Sequence, residues 1–112
     1  MRDDRAYLEY VRSSIGLVEQ YAQDGEQVFL TDLKTQDAVL RRLETLADAA
    51  AHLSEGLKSR HPEIPWRQIS AFRDVLAHAY SEIRLDVVWQ AIERDLPALQ
   101  VVVEEELANL PP

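Results

Sequence analysis

Arg73, Asp74, His78 and Tyr80 gather four chemically versatile side chains within one short segment. A guanidinium offers a planar fork to two oxygens of a phosphate or a carboxylate. An imidazole can donate or accept a proton near neutral pH. A phenol combines a packing ring with a hydrogen-bonding hydroxyl. The segment from Ile64 to Tyr80 holds a short helix, with Pro65 suited to its first turn because the missing N–H would be unpaired there anyway. At about 100° per residue, with Ile69 at zero, Leu76, Phe72 and Trp66 fall at about −20°, −60° and +60° and make one apolar stripe. Arg73 at about +40° and Tyr80 at about +20° lie inside that stripe, and His78 lies nearly opposite. A charge within an apolar stripe needs a partner. One reading pairs Arg73 with a carboxylate from another helix, and the other holds its fork ready for a phosphate. Taken singly, His78 reads equally as a residue closing a helix C-terminus and Tyr80 as a packing residue.

The elements that must position these residues are helical. Leu8, Val11, Ile15, Val18 and Ala22 recur at spacings of three and four, predicting a first helix over 4–23. Asp24-Gly25 is a turn signal, and 26–30 reads as a short helical turn. Thr31 or Asp32 can cap a second long helix that runs to Ser59, with Val39, Leu43, Leu46, Ala50, Leu53 and Leu57 on its core face. His61-Pro62 to Ile64-Pro65 is a stiff connector, because a residue before proline avoids the helical region. The motif helix is expected over 65–79. The last begins at Leu85 or Asp86, with Val88, Trp89, Ile92, Leu96, Leu99, Val103 and Leu107 apolar. Pro97 should kink or divide it near Arg94–Leu96. Residues 109–112 should fray. The expectation is an all-α, antiparallel up-down four-helix bundle, one domain over 1–112.

Composition narrows the function. Hydrophobic residues at 46% of 112 favour a folded chain with one core. Without cysteine, neither disulfides nor thiolate metal sites can form, which fits a cytoplasmic location. No run approaches the roughly 18 apolar residues of a membrane span. The net charge of −8 argues against broad, nonspecific binding to nucleic acid. From Lys58 to Arg84, however, five basic residues face three acidic ones, giving +2. The remaining 7 basic and 17 acidic residues give −10. The motif helix and its flanks are a relatively basic island on an acidic chain. Three scattered histidines lack metal-ligand spacing, and no cofactor is expected.

Arg73, four intervening residues, His78, one residue and Tyr80 together resemble the Arg-x4-His-x-Tyr signature of the HEPN superfamily. More narrowly, the chain resembles the HepT-type toxins, encoded beside small nucleotidyltransferase antitoxins of the MntA type. Lys34-Thr35-Gln36-Asp37-Ala38-Val39 looks like the start of that family's second helix, and His61-Pro62-Glu63-Ile64-Pro65-Trp66 like its linker into the motif helix. The resemblance spans about Tyr7 to Leu107. It implies metal-independent cleavage of RNA by the 2′-hydroxyl, leaving a 2′,3′-cyclic phosphate, with Arg73 and His78 in the catalytic roles. The chemistry suits these types: a histidine for proton transfer, an arginine for the charge developing on phosphorus. Asp74 stands one turn before His78, where it could orient the imidazole. One histidine leaves a second proton transfer unassigned. A homodimer with its two-fold axis beside the motif helix would gather Arg73 and His78 of both chains in one cleft. The resemblance further implies that Tyr80 accepts AMP from the MntA-like partner, silencing the toxin. Two other readings stay open: a noncatalytic nucleotide-binding or regulatory subunit of a nucleotidyltransferase complex, and a helical dimerisation module.

Overall fold

The structure, a computed structural model, describes residues 4–111, and among them there is no strand. Seven α-helices follow one another: α1 (Asp4–Tyr21), α2 (Glu26–Thr31), α3 (Leu33–Ala51), α4 (Glu55–Ser59), α5 (Trp66–His78), α6 (Leu85–Gln90) and α7 (Leu96–Asn109). The expected all-α class is what forms. α1 packs on α3 and α7, α3 also packs on α5, and α2 bridges α3 and α6. The apolar spacing of α1 places Leu8, Val11, Ile15 and Val18 wholly out of water. Each such side chain contributes roughly 1.5–3 kcal/mol by burial. They meet Val39, Leu43, Leu46 and Ala50 of α3 and Leu99, Val102 and Val103 of α7 in one core. Phe29 of α2 is fully buried, and its ring lies 5.6 Å from that of Trp89. Gly25, at φ 96°, makes the turn into α2 in a region other residues avoid.

The second long helix differs from expectation. It stops at Ala51, and α4 restarts after Ser54. The Ser54 hydroxyl accepts from Leu57 N–H at 3.2 Å and caps α4. Asp4, from the first turn of α1, accepts from both the backbone N–H and the hydroxyl of Ser54, at 2.9 and 2.7 Å. The break is a local cap held in place by a long-range carboxylate. At the start of α3, Asp32 is the N-cap and accepts from Thr35 N–H, as the sequence suggests.

Pro97 acts upstream of itself. Between α6 and α7 the chain runs through a π-helical stretch, Ala91–Asp95, in which Leu96 N–H donates to the carbonyl of Ala91, five residues back. A proline ring crowds the carbonyl four residues before it and donates no hydrogen bond. Widening the preceding turn accommodates both constraints.

Among the described residues, no helix is long and apolar enough to cross a membrane.

The linker into α5 is held from three sides. Ile64 is buried in the core. The Trp66 indole N–H donates to the carbonyls of Lys58 and His61, at 3.1 and 3.0 Å. The buried His61 Nε2 lies 2.6 Å from Oε2 of Glu106 on α7, whose two oxygens also receive Nε and Nη2 of Arg60. Helix α5 buries only Leu76 fully; Trp66, Ile69 and Phe72 are partly buried against the core. On the side facing α6 and α7, Ile69 and Phe72 line an apolar groove of about 360 Å³ with Leu46, Val87, Leu96 and Leu99.

Candidate functional site

Helix α5 carries Arg73, Asp74 and His78 along the edge where it packs on α3. Between the two helices lies a cleft of about 380 Å³, lined by Arg41, Glu44, Thr45 and Asp48 of α3 and by Arg73, Asp74, Ala77 and His78 of α5. The cleft brings together three of the four residues singled out by spacing. Arg73 is one-third exposed at its side chain. Its Nη1 donates to Asp48 Oδ1 at 3.2 Å, while Nε and Nη2 donate to Asp74 Oδ1 at 3.4 and 3.2 Å. The charge within the apolar stripe thus has a carboxylate partner on another helix. The Asp74 hydrogen bonds first, with Asp48 adding to them, raise the already high pKa of the guanidinium and keep it charged.

His78 lies in the last turn of α5 and is exposed. Among the described residues its imidazole makes no hydrogen bond or ion pair, and the Asp74 carboxylate is engaged by Arg73. The ring is therefore open to whatever enters the cleft.

Tyr80 departs from the regular helix assumed for it. Helix α5 ends at His78, and Ala79, at φ −130° and ψ 48°, turns the chain into a single 3₁₀ turn, Tyr80–Glu82. Tyr80 therefore does not continue the face of Arg73, and it is absent from the lining of the cleft. Its hydroxyl donates to Asp37 Oδ1 near the start of α3, at 3.3 Å. Asp37 and Asp48 are three turns of α3 apart, about 16 Å along the axis. Tyr80 is 55% exposed; partial burial of the phenol, and then the Asp37 charge, push it above its ordinary value of 10.0.

Sequence reasoning missed Arg41. It belongs to a helix read only for its core, and its place in the cleft depends on how α3 and α5 pack. Its side chain is 71% exposed, and its guanidinium lies 3.6 Å from Glu44, one turn along. Among the described residues, no group of three or more His, Cys, Asp or Glu is arranged to hold a metal ion.

The cleft can do a definite kind of chemistry. It offers two guanidinium groups for phosphate oxygens and an unengaged imidazole for proton transfer. Three carboxylates, Glu44, Asp48 and Asp74, stand against those two charges in the cleft.

The family model described as ribonuclease HepT-like matches residues 11–106. The chain is 38% identical over 100 residues to the "Probable ribonuclease HepT" of Thermococcus cleftensis, across 88% of this chain and 91% of that protein. A protein of Methanocaldococcus jannaschii, named "Gamma-glutamylcyclotransferase and putative RNase", is 33% identical over 100 residues, which are 88% of this chain and 45% of that one. A "Putative RNase" of Caldanaerobacter subterraneus subsp. tengcongensis is 29% identical over 108 residues, 96% of each chain. No solved structure matches the chain. By the match over 11–106 and by this identity across nearly whole chains, the protein belongs to the HepT-like family of the HEPN superfamily.

Proposed function

We propose that this protein is a metal-independent endoribonuclease and the toxin of a toxin–antitoxin pair. The observation that carries the reading is the α3–α5 cleft, where Arg73 and the unengaged His78 line one space in a chain of the HepT-like family. In the proposed reaction the 2′-hydroxyl attacks the adjacent phosphorus and loses its proton to a base. Arg73, released from Asp48, binds the phosphorane oxygens, and the 5′-oxygen leaves with a proton. The product ends in a 2′,3′-cyclic phosphate. His78 serves one of the two proton transfers, and Asp74 positions Arg73.

The second transfer belongs, in this proposal, to the His78 of a second copy in a two-fold homodimer of four-helix bundles. The apolar groove beside α5 supports such an interface, because Val87 within it is 47% exposed in one copy. Control is assigned to an MntA-like nucleotidyltransferase, on which the deprotonated Tyr80 oxygen attacks the α-phosphorus of ATP, gains AMP and releases pyrophosphate. The exposed ring supports an accessible acceptor. The position of Asp37, three turns of α3 from Asp48, makes the mode of silencing a matter of reach: the adenylyl group must extend along α3 to block the cleft.

Incubating the purified protein with single-stranded RNA in EDTA tests the core of this proposal. Cleavage with cyclic-phosphate ends is the expected result. The same cleft admits a second reading, in which its arginines hold a nucleotide and the protein is a noncatalytic nucleotide-binding subunit of the transferase complex. Saturable nucleotide binding with RNA left intact would select it.

A further inference from the structure

The ribonuclease reading assigns the scissile phosphate to Arg73 and His78 and leaves the other basic residue of the cleft without a role. We infer that Arg41 is a substrate-binding residue that holds an RNA phosphate adjoining the scissile one, an inference that rests on that reading. Three observations carry it. Arg41 lines the same cleft as Arg73 and His78 although it comes from α3, so the two arginines approach the space from its two walls. Its side chain is 71% exposed, whereas that of Arg73 is 32% exposed. An anion entering from solvent therefore meets Arg41 at lower desolvation cost. The engagements also differ. Arg73 donates three hydrogen bonds of 3.2–3.4 Å to two carboxylates, whereas among the described residues Arg41 has one ion-pair contact, at 3.6 Å, to Glu44 one turn away on the same helix. Exposed pairs of that kind contribute little net free energy and are screened by salt. Arg41 is thus the cleft arginine that exchanges its carboxylate for a phosphate most readily. A chain with net charge −8 needs such a residue, because it must hold a polyanion against its own long-range repulsion.

The test separates holding RNA from cleaving it. A short single-stranded RNA methylated at every 2′-oxygen cannot supply the nucleophile, so its affinity reads binding alone. Arg41→Gln should weaken that binding about 5–10-fold at moderate salt. It should also lower the slope of log affinity against log salt by about 0.7, the value of one phosphate contact on a single strand. With cleavable RNA, KM should rise by a similar factor while kcat and its pH profile stay within about twofold. Arg41→Lys should restore the salt slope, since a point charge still releases a counterion. Arg12→Gln removes an arginine that pairs with Glu104 and does not line the cleft, and should leave the slope unchanged. An unchanged slope in Arg41→Gln, or an equal drop in Arg12→Gln, overturns the assignment. Wild type that binds the methylated RNA but cleaves no RNA would sink the ribonuclease reading, and the slope would still judge Arg41.

Discussion

At the scale of single residues, Arg73 and His78 differ in how they are held. The guanidinium is fixed by Asp48 and Asp74, while the imidazole has no polar partner among the described residues. His78→Ala should therefore leave the fold intact and reduce RNA cleavage by roughly 10²–10⁴-fold, the range for a lost proton-transfer group. Arg73→Lys should be nearly as damaging, because an ammonium cannot bridge two phosphorane oxygens. Full activity of either variant, in protein with wild-type circular dichroism, would reject the roles proposed here. Tyr80→Phe keeps the ring and removes the acceptor oxygen. After incubation with the partner transferase and ATP, intact mass should show AMP on wild type and none on Tyr80→Phe; equal addition would move the acceptor elsewhere. The partner of Arg73 was legible as a need, since a charge in an apolar stripe demands a counter-charge, but its identity as Asp48 was not. The end of the motif helix was legible to within a residue, expected at Ala79 and found at His78, but the 3₁₀ turn that takes Tyr80 off the face of Arg73 was not. No glycine or proline marks the end of α5, and Ala79 turns where Ile83 goes to pack on the core.

At the scale of elements, helix periodicity was legible because burial on one face imposes it, as the four wholly buried residues of α1 illustrate. The break at His52–Ser54 was hidden because its stabilising contact comes from Asp4, 50 residues away. The linker that launches α5 rests on the pair between His61 and Glu106, and this makes its stability pH-dependent. Hydrogen bonds from Arg60 first, and then from His61, hold the Glu106 carboxyl below its ordinary value of 4.5. Its contribution is present above that value and is lost as pH falls through the lowered one. The Glu106 hydrogen bond, opposed by burial, raises His61 above its ordinary 6.5. That contribution is full below 6.5 and is lost as pH rises through the raised value. The network is thus strongest between about pH 4.5 and 6.5. Glu106→Gln keeps the shape and removes the charge. It should cost about 1–3 kcal/mol near pH 6 and flatten the decline in thermal stability that wild type shows on the alkaline side. Melting profiles of the two proteins that run parallel across pH 4–9 would refute the coupling.

At the scale of the molecule, the proposed mechanism is short of one proton-transfer group. Acid and base must both act on one phosphodiester, and the cleft of a single chain contains one imidazole, that of His78. The remaining side chains lining it are two arginines, three carboxylates, a threonine and an alanine. Guanidinium groups do not titrate near neutral pH, and the carboxylates of Glu44, Asp48 and Asp74 are engaged by the two arginines. The proposed two-fold partner would resolve the shortage by bringing a second His78 to the site, and the apolar groove in which Ile69 and Phe72 of α5 are only partly buried offers it a surface. Light scattering should then give about twice 12.8 kDa. The sharper measurement mixes wild type with His78→Ala at constant total protein, under conditions of subunit exchange. If each cleavage needs both imidazoles, only wild-type pairs are active, and the rate follows the square of the wild-type fraction. A protein with self-contained sites gives a rate proportional to that fraction, and a monomer gives the same line. Linear dependence would therefore remove the shared site while leaving the assignment of His78 intact, and the second proton would have to pass through water.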